Sequence, residues 1–343
     1  MAIPLSLLEH TLHRLHLLPT PIFDAFGGVL FGRVLSLSVR AGLFEVLKDN
    51  PMSVSETAHA LQWETKAAML VMESLTIGGY LECANQRYTP SEEGRTWCLR
   101  QSPQYLGHLI RYFDTLTARW DHLEQSFHNG GPVQPYYAEF GDKEWEEYVL
   151  AMRDLARLLL PTLMRHLDLG KDPRSLLDLG GSHGSYAMEC CREYPGLAAI
   201  VMDFPPALRI TSTLVKAGGM VARIRLVEGN ILLDPFPPEQ DAVFMFNILH
   251  GFKPEEDRRL IARAFDALRD GGTLYILEQF RMEKGGSRLS RFIPLMVGLN
   301  LLNEIGGCVY STEEVREWCA AARRVKSIKL RFPGVTLFKI VKD

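Results

Sequence analysis

The chain lacks an excess of basic residues: 38 Lys and Arg stand against 41 Asp and Glu, a formal charge of −3 over 343 residues. A protein that binds nucleic acid through its phosphates normally carries a basic excess, so this balance argues against nucleic acid as a partner. Cysteine is scarce too, with six residues, an adjacent pair at Cys190 and Cys191, and no CxxC spacing. This predicts neither a disulfide framework nor a cysteine metal site, and it favours a cytoplasmic protein.

Long uninterrupted apolar segments are also missing. The longest uncharged one, residues 292–303, is about half of the roughly 20 residues that cross a bilayer. Near the start, Glu9, His10, His13 and Arg14 interrupt the apolar residues, unlike the core of a signal peptide. The sequence therefore predicts no membrane span. Its 47% apolar and 23% charged residues are typical of a globular protein, and its length suggests two or three domains.

The first hundred residues predict a small helical domain with a hairpin. Ser53 and Glu56 form a capping-box pattern at the start of one helix. Two helices followed by a two-stranded wing are the winged-helix arrangement, so we assign residues 1–100 to a winged-helix domain. The predicted helices span residues 26–47, 53–61 and 64–77, and the predicted strands residues 80–83 and 87–89.

This domain carries little positive charge for reading DNA. Residues 1–100 contain eight Lys or Arg and ten Asp or Glu, a net charge of −2, and the helix over residues 64–77 has Lys66 as its only base. A helix that reads a DNA groove needs phosphate contacts around it. We therefore expect this apolar helix to pack against another protein chain.

Beyond residue 100 the sequence changes character twice. Residues 101–170 are helical and rich in Leu, Met and aromatics, and we assign them to linker and pocket helices. Residues 171–343 alternate strand-like runs with helical segments, which predicts a parallel sheet covered on both faces and a closing antiparallel hairpin. The predicted strands are residues 175–179, 198–202, 224–227, 241–248, 273–277, 327–331 and 335–341, and the predicted helices are 184–193, 205–217 and 255–269.

The strongest motif is LLDLGGSHGS at residues 176–185, which places a strand, a glycine turn and a helix start in one unit. Glycines allow the backbone to approach a ligand closely, and the helix start offers free N–H groups. The dinucleotide fingerprint needs glycines at n, n+2 and n+5, which this segment does not have, so the motif does not fit a nicotinamide cofactor. Asp203 follows nineteen residues after Gly184, where a carboxylate at a strand end can accept both hydroxyls of a ribose.

This acidic-x-Gly-Gly-x-x-Gly pattern resembles motif I of class I S-adenosylmethionine-dependent methyltransferases. Together with the winged helix, the helical linker and the segments 201–205, 244–250 and 270–272, it is similar to the small-molecule O-methyltransferase family, which includes the caffeic acid and hydroxyindole O-methyltransferases. The resemblance covers about residues 20–343. It implies an α/β fold with a Rossmann-like, seven-stranded methyltransferase sheet. It also implies S-adenosyl-L-methionine as cofactor, S-adenosyl-L-homocysteine as product, and a homodimer formed through the N-terminal domain.

The resemblance further implies which residues hold the methionine part and the ribose of the cofactor. Asp203 matches the family's ribose acid. His183 occupies a loop position that is small or hydroxylic in many relatives, and we expect it to be exposed to solvent. The residues that match the family's glycine loop and the acid beneath it are Asp178, Gly180, Gly181 and Gly184.

The adenine contacts are implied in the same way. Phe204 and Ile231 would lie along the adenine faces, and the amide oxygen of Asn230 would accept a hydrogen bond from the adenine amino group. The family often has a basic residue four positions before its catalytic histidine. Phe246 stands there in this chain, which leaves Asn247 as a replacement polar contact.

The implied general base is His250, which follows the fourth predicted strand. An unperturbed imidazole titrates near 6.5 and can take a phenol or enol proton at neutral pH. Two carboxylates flank this histidine in the family. Glu278 matches the first, whereas Val309 replaces the second, with Glu304 as a nearby substitute.

The acceptor pocket is expected between the linker helices and the segment that precedes Gly306. Its largely apolar side chains indicate a flat, apolar acceptor. No metal is expected, because the sulfonium leaves as a neutral thioether without Lewis-acid help. The candidate pocket residues are Tyr112, Phe113, Trp120, Met152, Leu155, Phe292, Met296, Leu299 and Asn303.

The function predicted from the sequence is methyl transfer to a hydroxyl of a small aromatic or polyketide-like molecule. Methylation of carbon or nitrogen, or a relative that no longer transfers methyl groups, is the main competing hypothesis, because Val309, Gly251 and Phe246 depart from the family pattern. Two further hypotheses stay open. One is a metal-assisted enzyme that uses His250, and the second is a winged-helix regulator without catalysis.

Overall fold

The computed structural model describes residues 7–132, 135–282, 285–320 and 322–343, apart from the side chains of Leu7 and His10. The chain divides into two compact units, Met1–Ala118 and Arg119–Asp343. The predicted boundaries at residues 100 and 170 stay predictions.

The first unit has the helix, helix and hairpin order that the sequence predicts. Ser53 accepts a hydrogen bond from the Glu56 amide, and the Glu56 carboxylate accepts one from the Ser53 amide, so the predicted capping box is present. Asn85 and Gln86 both have positive φ, as a two-residue hairpin turn requires. The elements are α1 Leu7–Arg14, α2 Thr20–Ile22, α3 Gly28–Ala41, α4 Leu43–Leu47, α5 Val54–Leu61, α6 Thr65–Ile77, β1 Leu81–Ala84, β2 Arg87–Pro90, α7 Glu92–Cys98 and α8 Gly107–Arg119.

The prediction of a single helix over residues 26–47 is wrong, because the segment forms two helices. These helices, α3 and α4, are separated at Gly42, which has a φ of +80°. A left-handed glycine ends a helix at little steric cost, and here it lets the chain turn so that Leu43, Phe44 and Leu47 are buried. The periodicity of the apolar residues continues through the break and conceals it.

One helical stretch of this unit, Thr20–Ala41, is long and apolar enough by length and composition to cross a membrane, although the sequence predicts no span. It includes Arg33 and Arg40, whose guanidinium groups lie 2.6 and 3.2 Å from the carboxylate oxygens of Asp114 in the same unit. Phe26 and Leu30 are exposed on it. Length and composition alone do not distinguish a membrane span from a helix that packs against another protein.

The second unit contains a seven-stranded sheet in the order β5-β4-β3-β6-β7-β9-β8. The first five of these strands are parallel, and β9 and β8 add an antiparallel edge. This confirms the predicted Rossmann-like fold. The strands are β3 Ser175–Leu179, β4 Ala198–Asp203, β5 Ile224–Glu228, β6 Gln240–Phe246, β7 Leu268–Gln279, β8 Arg324–Lys329 and β9 Val335–Val341; the helices are α9 Leu123–Asn129, α10 Asp142–Leu163, α11 Ser185–Glu193, α12 Pro205–Ala217, α13 Pro254–Asp266, α14 Arg288–Ile305 and α15 Thr312–Trp318.

Alternate residues of the central strands face two separate cores. Leu176 and Phe244 belong to one, and Leu177 and Val243 belong to the other. Burial on both faces explains why these strands read as continuous apolar runs rather than alternating ones. Because chain order reverses between β3 and β6, the carboxyl ends of the parallel strands form a crevice at that point, where open α/β sheets bind ligands.

Two element ends differ from prediction, the first of them at this edge. The strand predicted to end at residue 248 ends at Phe246, and Asn247 turns away with a φ of +55°. The helix predicted to end at residue 269 ends at Asp266, because β7 already begins at Leu268. Beyond this earlier strand end, His250 lies in a short 3₁₀ turn, Leu249–Gly251.

Candidate active site

Two glycines of the loop after β3, Gly180 and Gly181, have no room for a side chain. A Cβ atom at Gly180 would lie 2.3 Å from Cδ1 of Ile248, and one at Gly181 would lie 2.6 Å from Cγ of Asp178. Gly180 and Gly184 also have φ angles of +62° and +65°. Glycine is therefore required by both space and backbone conformation, and the loop leaves a cradle at the crevice.

Asp178 lies beneath this loop and is almost completely buried. Its Oδ2 atom has no hydrogen-bond partner among the residues that the structure describes. Burial, and then the nearby charge of Asp203, raise the pKa of the Asp178 carboxyl to about 8. The unpartnered Oδ2 atom of Asp178 and the glycine loop above it suit a ligand that carries hydrogen-bond donors.

Asp203 ends β4 beside the same loop. One carboxylate oxygen accepts the Ser182 amide at 2.8 Å, and the other accepts the Phe204 amide at 2.7 Å. Burial raises the pKa of Asp203 to about 6, although the two amide hydrogen bonds act in the opposite direction. The carboxylate is thus held rigidly, and each oxygen keeps a further lone pair for a diol.

The residues expected at the adenine lie on neighbouring strand ends. Phe204 is partly exposed and its ring centroid lies 6.0 Å from that of Tyr137. Ile231 is buried. The Asn230 side-chain oxygen already accepts the Leu232 amide at 2.9 Å, so one lone pair is left for another donor.

Phe246 packs inside the sheet core, with its ring centroid 4.4 Å from that of Phe244 and 5.0 Å from that of Tyr186. The next residue, Asn247, is only half-buried, and its backbone N–H donates a hydrogen bond to the Leu277 carbonyl. Aromatic packing therefore occupies position 246, where the family often has a basic residue.

The prediction that His183 is exposed to solvent is wrong. Its side chain is buried, its Nδ1 accepts the Ser185 amide at 3.0 Å, and its ring lies 5.3 Å from that of Tyr186. Burial, and then the charge of Arg153, lower the pKa of His183 to about 3, so the ring is neutral. The sharp turn at Gly180–Gly184 directs this side chain inward, which the spacing of the motif does not reveal.

His250 and Glu278 form a hydrogen-bonded pair at the carboxyl edge of the sheet. Nδ1 of His250 lies 2.7 Å from Oε2 of Glu278, and Oε1 of Glu278 accepts the Leu249 amide at 2.8 Å. Glu278 is almost completely buried, whereas the His250 side chain keeps 21% exposure. This arrangement fixes the ring and leaves its second nitrogen free to accept a proton.

Val309 stands where the family has a second carboxylate, and it is buried against Gly298 of α14. Sequence reasoning overlooked Asp257, which is completely buried in α13 and interacts electrostatically with Glu278. Burial and the charge of Glu278 raise the pKa of the Asp257 carboxyl to about 8, while a hydrogen bond from Tyr310 acts to lower it. The apolar periodicity of the helix could have indicated this burial, because position 257 lies on the same helical face as the buried residues Leu260, Ile261 and Ala264.

The predicted pocket residues belong to both units. Tyr112 is buried and Phe113 exposed on α8, in the first unit. In the second unit Asn303 is buried and donates to the Arg119 carbonyl at 3.1 Å, and Trp120 donates to Asn300 at 2.9 Å, so the structure brings the start of this unit to α14. The half-buried members are Trp120, Met152, Leu155, Met296 and Leu299, and Phe292 is exposed.

A family profile described as O-methyltransferase domain matches residues 120–322. The chain belongs to this family. It is therefore an S-adenosylmethionine-dependent methyltransferase, and the glycine cradle with its unpartnered Asp178 oxygen fits such a cofactor.

The chain is similar to several characterised proteins. The chain is 26% identical over 325 residues to 3-hydroxy-5-methyl-1-naphthoate 3-O-methyltransferase of Streptomyces sahachiroi, covering 92% of this chain and 93% of that one. It is 26% identical over 256 residues to the N,N-dimethyltransferase OxyT of Streptomyces rimosus, covering 72% and 74%. The crystal structure of human N-acetylserotonin methyltransferase in complex with SAM superimposes with a TM-score of 0.82 at 19% identity, covering 94% and 97%.

This O-methyltransferase resembles enzymes of secondary metabolism, as the sequence predicted. The family match also covers α9 to α15 as one domain, which explains why the linker helices after residue 118 group with the sheet. Among the described residues, no group of three or more His, Cys, Asp or Glu side chains is arranged to hold a metal ion.

Proposed function

We propose that this enzyme methylates a hydroxyl group of a small, largely apolar aromatic or polyketide-like molecule, with His250 as the general base. The observation that carries the proposal is the 2.7 Å contact between His250 and the buried Glu278 at the edge of the crevice. The similarity to the naphthoate methyltransferase of Streptomyces sahachiroi supports an aromatic hydroxyl as the acceptor.

The bound cofactor supplies an electrophilic methyl group on a positively charged sulfur. Glu278 accepts the Nδ1 proton of His250 in a hydrogen bond, which selects the tautomer with a free Nε2. The free Nε2 of His250 would take the proton of the acceptor hydroxyl. The remaining task of the protein is to hold the acceptor oxygen in line with the methyl group that the bound cofactor would supply.

We propose that the cofactor is held by residues of the glycine loop and of the strand ends next to it. The glycine loop, with Asp178 beneath it, would hold the methionine part. The fixed carboxylate of Asp203 would accept the two ribose hydroxyls. Phe204 and Ile231 would flank the adenine, with Asn230 and Asn247 as polar neighbours.

We also propose that the chain forms a homodimer through residues 1–100. The support is the set of exposed apolar side chains on the helical stretch Thr20–Ala41, which includes Phe26, Val29 and Leu30. A contiguous apolar surface of this kind is typical of a protein–protein contact.

Methylation of nitrogen or carbon is a second candidate. It is favoured by Val309, which removes one of the two carboxylates that the family places around its base, and by the match to an N,N-dimethyltransferase. An acceptor that reacts through an amine or an activated carbon needs a weaker base, or none.

The test is transfer of labelled methyl from S-adenosylmethionine to a panel of phenols, enols and aromatic amines, with mass spectrometry of the products. We expect O-methylated products, and a loss of about 10²–10⁴-fold in rate for His250→Ala, the range for removal of a general base. His59→Ala, an exposed histidine of the first unit, is the matched control. Activity of His250→Ala within a few-fold of wild type would contradict the base assignment, and N-methylated products would favour the second candidate.

A further inference from the structure

An open groove of about 540 Å³ lies at the edge of the sheet opposite the glycine loop. It crosses the amino ends of β5, β4, β3 and β6, which are neighbours in the sheet. Ligand sites in proteins commonly have volumes of about 300–1,000 Å³, so the groove is large enough for a small molecule. The residues that line this amino-edge groove include Arg174, Ala198, Ile200, Val221, Arg223 and Arg225.

This part of the sheet is thinly covered on one face. Helices α11 and α12 connect β3, β4 and β5 and pack on the first core. The described segment 229–239, which joins β5 to β6, contains turns and bends but no helix. Ile200 on β4 is therefore only half-buried, and Val221, just before β5, is 65% exposed. The groove thus keeps an apolar surface that is open to solvent.

The lining of the amino-edge groove is positively charged. Among the described residues that form it, three are arginines and none is Asp or Glu, although the whole chain has a net charge of −3. Arg174 is paired with Asp172 at 2.5 Å. Arg223 donates to three backbone carbonyl groups, which hold its guanidinium without neutralising it. Arg225 is exposed and has no hydrogen bond or ion pair within the described part of the chain.

The positive charge and the apolar surface lie side by side. Arg225 of β5 is the direct partner of Ile200 of β4 in the parallel ladder, so the two side chains stand on the same face of the sheet. Ala198 is exposed two residues before Ile200, also on that face. A guanidinium group binds a carboxylate strongly, because two parallel N–H groups match its two oxygens. The groove therefore suits a ligand that has an apolar body and an anionic end.

We propose that the amino-edge groove is a second ligand site, which binds a small carboxylate with an apolar body. The carboxylate pairs with Arg225 close to the charge of Arg223, and the apolar body covers Ile200. The site is separate from the candidate active site, because Asp203 ends β4 and His250 follows β6, both at the carboxyl edge of the sheet. The inference goes beyond the proposed function and does not depend on it.

Isothermal titration calorimetry with octanoate tests the site, with S-adenosylhomocysteine present at saturation. Octylammonium is the matched cation, and it should bind about tenfold more weakly than octanoate, because it brings a like charge to Arg223 and Arg225. Acetate keeps the carboxylate but loses the apolar body. It should bind about a hundredfold more weakly than octanoate, since each buried methylene group contributes to the affinity.

Two variants show whether octanoate binds in this groove. Arg225→Glu reverses an exposed charge and should abolish the preference for octanoate over octylammonium. Ala198→Trp should weaken both ligands by about tenfold, because the indole occupies the groove; Ala198 is exposed, so the fold can accommodate the larger side chain. Arg331→Glu makes the same charge change at an exposed arginine outside the groove, and this control should keep the wild-type preference.

Three results would overturn the inference: no binding of octanoate in the millimolar range, equal binding of octanoate and octylammonium, or a preference that survives Arg225→Glu. Unchanged octanoate affinity in Ala198→Trp, together with a changed oligomeric mass by light scattering, would assign the groove to a protein contact and overturn it too. Methyl transfer by these variants should keep the wild-type rate, so failure of this inference is distinguishable from failure of the proposed function.

Discussion

Glu278 holds His250 in two ways: one carboxylate oxygen lies 2.7 Å from Nδ1 of the ring, and the other accepts the Leu249 amide at 2.8 Å. The same buried group therefore fixes the ring and the backbone just before it. Since β6 ends four residues before His250, this contact, rather than the strand, determines where the imidazole lies.

Glu278→Gln should reduce kcat by about 10–10²-fold, less than the loss for His250→Ala, because the ring loses its orienting charge but keeps its accepting nitrogen. Cofactor affinity should not change. Steady-state kinetics and calorimetry with S-adenosylhomocysteine measure the two effects, and a thermal melt shows whether the variant is folded. Wild-type kcat in a folded Glu278→Gln protein would exclude the positioning role.

Asp203→Ala should weaken binding of S-adenosylmethionine by about 1.5–3 kcal/mol, the scale for loss of a charged hydrogen-bond partner. Because burial raises the pKa of Asp203 to about 6, wild-type affinity should also fall as the pH is lowered from 7 to 5, where the carboxylate becomes protonated. Titration calorimetry measures both, with Asp266→Ala, an exposed acid at the end of α13, as control. Equal affinities of the Asp203 variant and wild type would remove this residue from the site.

Asp257 should make the enzyme less stable at high pH. Burial, and then the charge of Glu278, raise its pKa to about 8, above its value near 3.9 in the unfolded chain. Its contribution to the free energy of unfolding is fully present when the pH is below the unfolded pKa. That contribution is lost as the pH rises through the folded pKa of about 8. The wild-type Tm should therefore be lower at pH 8.5 than at pH 5, and this difference should be smaller by several degrees in Asp257→Asn. In a unit of this size, a change of 1 kcal/mol in the free energy of unfolding shifts the Tm by roughly 2–4 °C.

The variant is compared with wild type under identical conditions, because Asp178, with its pKa raised to about 8, responds to pH in the same direction in both proteins. Asp266→Asn on the exposed face of α13 should leave the difference unchanged. An Asp257→Asn protein that keeps the full wild-type difference would show that Asp257 is already ionised in the fold.

The homodimer prediction is tested by light scattering at micromolar concentration, where wild type should have twice the mass of one chain. Phe26→Asp with Leu30→Asp places two charges one helical turn apart on the exposed apolar stretch and should shift the protein to monomer. Val221→Asp, an exposed apolar residue of the second unit, should remain dimeric. A wild-type monomer would contradict the prediction.

Local patterns in the sequence were sufficient for the parallel sheet and its closing hairpin, and the family resemblance was sufficient for the methyltransferase assignment. The apolar runs predicted the parallel strands, and β9 and α12 have the predicted bounds. The glycine spacing predicted the cradle after β3. Glu278 was assigned beside His250 through the family resemblance, and the structure places them in contact. Such features repeat over a few residues, or depend on strand ends that parallel pairing brings to one edge.

What only the tertiary structure decided is the state of the polar atoms that no local pattern describes. The burial of His183 follows from a turn whose side-chain direction the motif does not specify. Asp257, Asn303 and Glu304 are buried on helices whose sequences alone do not show which face is covered. Whether a polar side chain on a helix is exposed or buried without a partner depends on what packs over that face, and this is determined only when the whole unit has folded.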